Sequence, residues 1–257
     1  GSVAGSVTID DGTDSRSVLG EFQTLCAELG LDLEVLDSTS QVETAVRRFS
    51  PTTVVVAGWY WLIPPGVLSL ARDGFVGLHA SLLPRMRGSA PVVWAILTAQ
   101  KESGVSLFYL DEGVDSGDLI GQTPVQIGES DYVSDVLDRI ESVSVSLLEE
   151  HFLDILVGSA GRTRQEEGSA TYCSIRRPID GHIDWSSSSE AVYNFVRAQS
   201  WPYPGAFAYL GTSPVVIWRT DRFPRPLGGV PGVVSLVGPD GPVVATSEGE
   251  VILVDYE

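Results

Sequence analysis

The run Thr53-Val54-Val55-Val56-Ala57-Gly58 limits the possible folds more than any other stretch of the chain. A continuous β-branched run is the pattern of a strand buried on both faces, as in a parallel sheet, and such a sheet needs helices to cover it. The preceding residues supply them. From Val18 to Leu29 apolar side chains recur at helical spacing (Val18, Leu19, Phe22, Leu25, Cys26, Leu29), and Gly30 stops the pattern as a left-handed terminal glycine would. Val3 to Ile9 and Leu31 to Leu36 read as strands, Asp10-Asp11-Gly12 as a turn, and Val42 to Phe49 as a second helix. The rhythm is βαβ, which predicts an α/β fold.

Past Trp59-Tyr60-Trp61 and Ile63-Pro64-Pro65, a short helix over Val67 to Ala71 precedes a strand over Phe75 to Leu78. Then comes a polar, proline-punctuated segment, Gly77 to Pro91, lying between a β-like run and a helix-like run over Ala90 to Gln100. Open α/β sheets place ligand chemistry at such strand ends. Val105 to Leu110 reads as the next strand, Asp111 to Asp118 as an acidic loop, Leu119 to Gln126 as extended, and Tyr132 to Leu156 as a long amphipathic helix. The segment from Gly158 to Gly168 is polar and irregular and reads as linker. The expected domains are therefore 1–157, a linker over 158–185, and a small β-barrel-like unit over 186–257. That last unit would hold a helix over Glu190 to Gln199 and β-like runs at Ala206 to Leu210, Val215 to Trp218, Val233 to Val237, Val243 to Thr246 and Val251 to Val254.

With 257 residues, 43% of them hydrophobic, the chain can bury a real core. Gly1-Ser2 reads as a cloning remnant, and neither a signal segment nor a membrane span is visible, so a cytoplasmic protein is expected. The two cysteines, Cys26 and Cys173, lie in unrelated contexts and read as packing residues. A net charge of −18 argues against a polyanionic partner such as nucleic acid. Basic residues are scattered arginines, with Lys101 the only lysine.

Of three histidines, His79 alone sits in a strand-to-helix loop; His151 falls on a helix and His182 in a turn. An imidazole suits proton transfer or stabilisation of a developing oxyanion, although a loop histidine serves structure more often. Asp115 lies in the next strand-end loop, which is expected to leave the same edge of the sheet and to bring carboxylate and imidazole together. Asp111, Asp115 and Asp118 read equally well as turn formers. Trp59, Tyr60 and Trp61 either wall a flat ligand or cap the core, and Arg87 either holds an anion or makes a surface ion pair. No phosphate loop, nucleophile elbow or metal-ligand spacing is present in the sequence.

Four segments together, HASLLPRMRGSAP (79–91), LDEGVDSGD (110–118), DGHIDW (180–185) and RAQSWPYPGAF (197–207), resemble the family of formyltransferases that use 10-formyltetrahydrofolate. The resemblance covers most of the chain from about Val54 onward. It implies a Rossmann-like catalytic domain with a mostly parallel sheet, and a smaller C-terminal domain similar to an OB barrel. His79 would be the catalytic histidine and Asp115 its partner carboxylate; Trp61, Leu62, Asp111 and Gly113 would contact the formyl donor, and Gly77, Ser81, Leu82 and Arg87 would face the acceptor. No metal is implied. The leading expectation is N-formylation of a small amine, a nucleotide-linked amino sugar above all. A formyltetrahydrofolate hydrolase, a methionyl-tRNA formyltransferase and a non-catalytic folate-binding module stay open, as does the oligomeric state, a homodimer included.

Two departures from the family pattern stand out. An asparagine usually stands two residues before the histidine and helps hold the formyl oxygen, whereas this chain has Gly77. Losing such a donor costs about 3 kcal/mol unless a backbone N–H, water or His79 replaces it. Family members also begin with a glycine-ended central strand, whereas this chain opens at what resembles the second strand; residues upstream of the given sequence are expected.

Overall fold

The computed structural model describes residues 3–14, 17–225 and 227–257; the cloning-remnant reading of Gly1-Ser2 falls outside them. In chain order the first elements are strand β1 (Ser6–Ile9), helix α1 (Leu19–Leu29), β2 (Leu33–Leu36), α2 (Val42–Phe49), β3 (Thr53–Val56), α3 (Pro65–Leu68) and β4 (Gly74–His79). Next come β5 (Arg87–Gly88), α4 (Pro91–Leu97), β6 (Glu102–Tyr109), β7 (Leu119–Gln126) and α5 (Val133–Leu156). The remainder holds β8 (Tyr172–Cys173), α6 (Ser189–Gln199), β9 (Ala206–Leu210), β10 (Ser213–Arg222), β11 (Val234–Gly238), β12 (Gly241–Ala245) and β13 (Glu250–Tyr256).

The chain forms two compact units, one from residues 1–87, 105–123 and 143–170, the other from 88–104, 124–142 and 171–257. In the first, the βαβ rhythm is realised. Gly30 ends α1 at φ 65°, its N–H donating to the Ala27 carbonyl and that of Leu31 to Cys26. β1 pairs in parallel with β2, and β3 in parallel with β4. An apolar cluster of Leu36, Val42, Ala45, Val46, Ile63, Val67, Ala71 and Phe75 is shared by these elements, with Val7, Val54 and Val56 packed on it.

Two features add detail to the expected mostly parallel sheet. The pair β1-β2 and the four-stranded order β3-β4-β6-β7 are separate in hydrogen bonding, so β3 ends its sheet. Val55 is correspondingly 41% exposed although its run reads as buried on both faces. β6 then runs antiparallel to β4, pairing Val76 with Tyr109 and His79 with Ser106. Residues 158–170, expected to be linker, belong to the first unit, where Thr163 bridges to Leu119.

The second unit contains an antiparallel five-stranded sheet in the order β11-β12-β13-β10-β9. Its core is Ile183, Val192, Val196, Ala206, Ala208, Ile217, Val244, Val251 and Leu253. Here the alternating runs read from the sequence and the observed strands coincide to within a few residues. Helix α6 begins at Ser188, whose hydroxyl accepts from the Ala191 N–H at 3.2 Å, a standard cap. Among the described residues no helix is long and apolar enough to cross a membrane.

Candidate active site

His79 is the last residue of β4, and the turn after it is fastened from several sides. Ser81 Oγ donates to the Arg85 carbonyl at 2.6 Å, closing the turn on itself. Beneath it, Ser106 Oγ donates to the Ser81 carbonyl at 2.6 Å while accepting from the Leu83 N–H at 3.0 Å and Gln122 Nε2 at 2.7 Å. A hydroxyl has one proton and two lone pairs, so Ser106 is fully used. Met86, at φ 56°, turns its carbonyl to within 2.8 Å of His79 Nε2. A carbonyl oxygen can only accept, so Nε2 carries a proton and the ring presents Nδ1 on its other side. There Asp115 Oδ2 lies 3.5 Å from Nδ1. The imidazole is 9% exposed and the carboxylate 25%, so the carboxylate is the more open of the two.

The two loops meet by a route other than the expected one. Because β6 is antiparallel to β4, the loop after Tyr109 starts beside Phe75, at the end of β4 away from His79; the Leu110 N–H donates to the Phe75 carbonyl at 2.8 Å. The loop therefore has to fold back. Asp111 Oδ1 accepts from the Gly113 N–H at 3.0 Å and from Ser116 Oγ at 2.7 Å, and Tyr109 N–H donates to the Asp118 carbonyl at 2.8 Å. Gly117 permits that closure, since a Cβ there would stand 1.8 Å from the Tyr109 carbonyl oxygen. Asp115 itself sits at φ 50°, a left-handed conformation that costs a non-glycine residue of order 1 kcal/mol.

Arg87 is itself fully buried, with 0% exposure, and makes its ion pair with Glu167, a carboxylate that is 70% exposed. Its guanidinium donates to Gln165 Oε1 through Nε at 3.2 Å and Nη2 at 3.0 Å, and to Glu167 through Nη1 at 3.1 Å and Nη2 at 2.9 Å. Ser81, 2% exposed and bonded to Arg85, is likewise part of the turn's framework. After β3, Trp61 meets Trp59 and Tyr60 edge-on at 5.5 and 6.3 Å, with Tyr60 and Leu62 66% and 72% exposed. The Val56 to Gly77 register puts this aromatic segment and the His79 turn after neighbouring parallel strands. Trp59 Nε1 is buried and finds no acceptor among the described residues.

Gln165, Ser106, Gln122 and Met86 were not singled out by sequence reasoning. Ser106 had a signal, a serine within the apolar run Val105 to Leu110. Gln165 had none, since a glutamine in a polar stretch carries no pattern. His151 and His182 are not in this cluster; His182 packs on Phe207 and Tyr209 at 5.3 and 5.8 Å. No group of three or more metal-ligating side chains occurs among the described residues.

Comparison with known proteins matches the chain to two family descriptions, Formyl transferase over residues 27–151 and Formyl transferase, C-terminal domain, over 176–256. The methionyl-tRNA formyltransferase of Bacillus subtilis (strain 168) is 31% identical over 223 residues, 87% of this chain and 70% of that protein. Among solved structures, HypX from Aquifex aeolicus in complex with tetrahydrofolic acid aligns at a TM-score of 0.72 and 19% identity, covering 96% of this chain. The chain spans only 43% of HypX. WlaRD, a sugar 3N-formyl transferase solved in the presence of dTDP and 5-N-formyl-THF, aligns at 0.68 and 17% identity over 95% of this chain and 84% of its own. At these identities the structural likeness speaks to fold.

Proposed function

The chain belongs to the formyl transferase family, and on that premise we propose that it moves the formyl group of 10-formyltetrahydrofolate to the primary amine of a small molecule, a nucleotide-linked amino sugar. One observation carries the reading: His79 and Asp115, from separate loops, face each other at 3.5 Å with the imidazole fixed from behind by the Met86 carbonyl.

The residues after β3 suit a flat ring system with polar edges. Trp61 and exposed Leu62 would wall it, with Asp111 and Gly113 on the returning loop. The orphaned Trp59 indole N–H in the same segment is a donor for such a group. When bound, the folate supplies an activated formyl carbon. His79, protonated on Nε2, offers Nδ1 as base to the ammonium proton shed by the attacking amine. The Met86 carbonyl orients the neutral ring; once Nδ1 is protonated, Asp115 Oδ2 would accept from it and stabilise the imidazolium, whose proton would pass to the departing tetrahydrofolate nitrogen as the formyl–nitrogen bond breaks. Holding donor and amine against one imidazole edge converts an encounter into an intramolecular reaction, the larger part of what such a site contributes.

The sugar acceptor is favoured by the likeness of residues 59–64 and 87–91 to sugar-type members, and over a tRNA by the net charge of −18, which repels a polyanion more strongly than a diphosphate. A methionyl-tRNA acceptor is the second reading, favoured by the names of relatives about 30% identical. The test incubates the protein with 10-formyltetrahydrofolate and, in separate arms, a panel of nucleotide-linked amino sugars, methionyl-tRNA, and no amine. A mass gain of one formyl group on a sugar is expected. His79→Ala and Asp115→Asn are each expected to lower kcat about 10²- to 10⁴-fold with the fold intact by circular dichroism. Formylated tRNA alone would replace the acceptor, formate release without amine would indicate a hydrolase, and near-normal rates in both variants would remove the site assignment.

A further inference from the structure

We propose that Gln165 is a positioning residue for the reacting pair, closing a ring of contacts that sets how Asp115 meets His79. The proposal rests on the reading of that pair as the reacting groups.

Gln165 is 6% exposed and uses every hydrogen-bonding position of its amide. Oε1 accepts twice from the Arg87 guanidinium, at 3.2 and 3.0 Å. Nε2 donates to the Asp115 carbonyl at 2.8 Å and to the Gly117 carbonyl at 2.7 Å. The partners fix the amide's orientation, because arginine only donates and carbonyls only accept. A glutamate here would present acceptors to both carbonyls, and an apolar residue would remove the hydrogen bonds to both carbonyls and to the buried guanidinium.

The circuit runs through both edges of the imidazole. His79 Nε2 donates to Met86; Met86 is followed by Arg87; Arg87 holds Gln165; Gln165 holds the Asp115 backbone; and the Asp115 carboxylate returns to His79 Nδ1. Asp115 needs such a hold, because its φ of 50° is one that an L residue keeps only when its surroundings impose it. The loop also arrives from the far end of β6, so nothing in the strand pairing dictates where residue 115 lies. Two carbonyls gripped by one amide, at 115 and 117, bracket the turn that aims the carboxylate. Arg87 in turn places that amide relative to the His79 turn, since its own backbone continues the segment that fastens the ring.

The readout is the ¹⁵N resonance of His79 Nδ1 at one fixed pH, in protein labelled on its three histidines and assigned with His151→Gln and His182→Gln. Asp115→Asn is expected to move that resonance. Gln165→Met is expected to move it the same way, and Gln165→Met combined with Asp115→Asn no further than Asp115→Asn alone. A merely structural glutamine would lower stability without this non-additive pattern. In turnover, Gln165→Met is expected to lower kcat about 10- to 100-fold with KM for the amine nearly unchanged, as for a misplaced group that acts after binding. Should Gln165→Met fail to fold, Gln165→Asn, whose amide is one methylene short of both partners, is taken through the same cycle. If Asp115→Asn moves the resonance and the folded Gln165 variant does not, the positioning role is wrong. If Asp115→Asn itself leaves the resonance in place, the His79 and Asp115 pairing falls, and the role of Gln165 with it.

Discussion

Gly77 is where this chain departs from the pattern of the formyltransferases it resembles, and the structure shows what occupies the space. A Cβ at residue 77 would stand 2.5 Å from Leu110 Cδ1 and 3.3 Å from Phe108 Cε1. The glycine is thus matched to Leu110, the residue at which the returning loop begins, and an asparagine would have to displace it. The near atom is the end of a flexible side chain, so the displacement is affordable but not free. Gly77→Asn alone is expected to destabilise the fold by about 1–3 kcal/mol, the usual range for overpacking, read from urea unfolding. Combined with Leu110→Ala, much of that loss should return, because the two changes share one volume. Additive losses would mean that Leu110 is not the obstacle.

β8 shows how a two-residue strand can carry a titration. The Cys173 carbonyl accepts from the Ser89 N–H at 3.3 Å and would lie 2.6 Å from a Cβ at Gly88, which sits at φ 96°. Burial pushes the thiol from the ordinary 9.0 up to about 11. The folded chain then holds that proton more tightly than the unfolded chain. Its contribution to stability is complete below about pH 9 and is lost as pH rises through about 11. The urea midpoint should fall over that window, and Cys173→Ala should lack this part of the fall; equal slopes would show that the thiol is not its source. Elements such as α5 and β9 to β13 were legible beforehand because periodicity marks a face to be buried, and the burial is what the sequence encodes there. The direction of β6 was not, since Val105 to Leu110 reads the same whether the strand runs with its neighbour or against it. That His79 and Asp115 come together was legible from their places at strand ends. The Arg87 and Gln165 framework beneath them was not, because a buried guanidinium and a surface one have the same letter, and partners 78 positions apart leave no local pattern.

Charge bears on the acceptor through its sign and its range. With 34 acidic against 16 basic residues, the chain repels any anion at distances beyond direct contact, and that repulsion is screened by salt. Several of the arginines are already spent: Arg87 and Arg197 are buried, the latter donating to the Asp131 carbonyl at 2.8 Å, and Arg222 pairs with Glu190 at 2.9 Å. A nucleotide-linked sugar carries a diphosphate, so its capture should improve as ionic strength rises. At saturating formyl donor, kcat/KM for such an acceptor is expected to increase roughly threefold to tenfold as the Debye length shrinks from about 30 Å to about 8 Å. A tRNA acceptor held through several phosphate contacts behaves oppositely, because each contact releases counterions and the apparent affinity falls steeply with salt. The slope of log kcat/KM against log salt therefore separates the two acceptors by sign. A steep negative slope would place the polyanion ahead of the sugar, and would require a cluster of arginines that overcomes a net charge of −18.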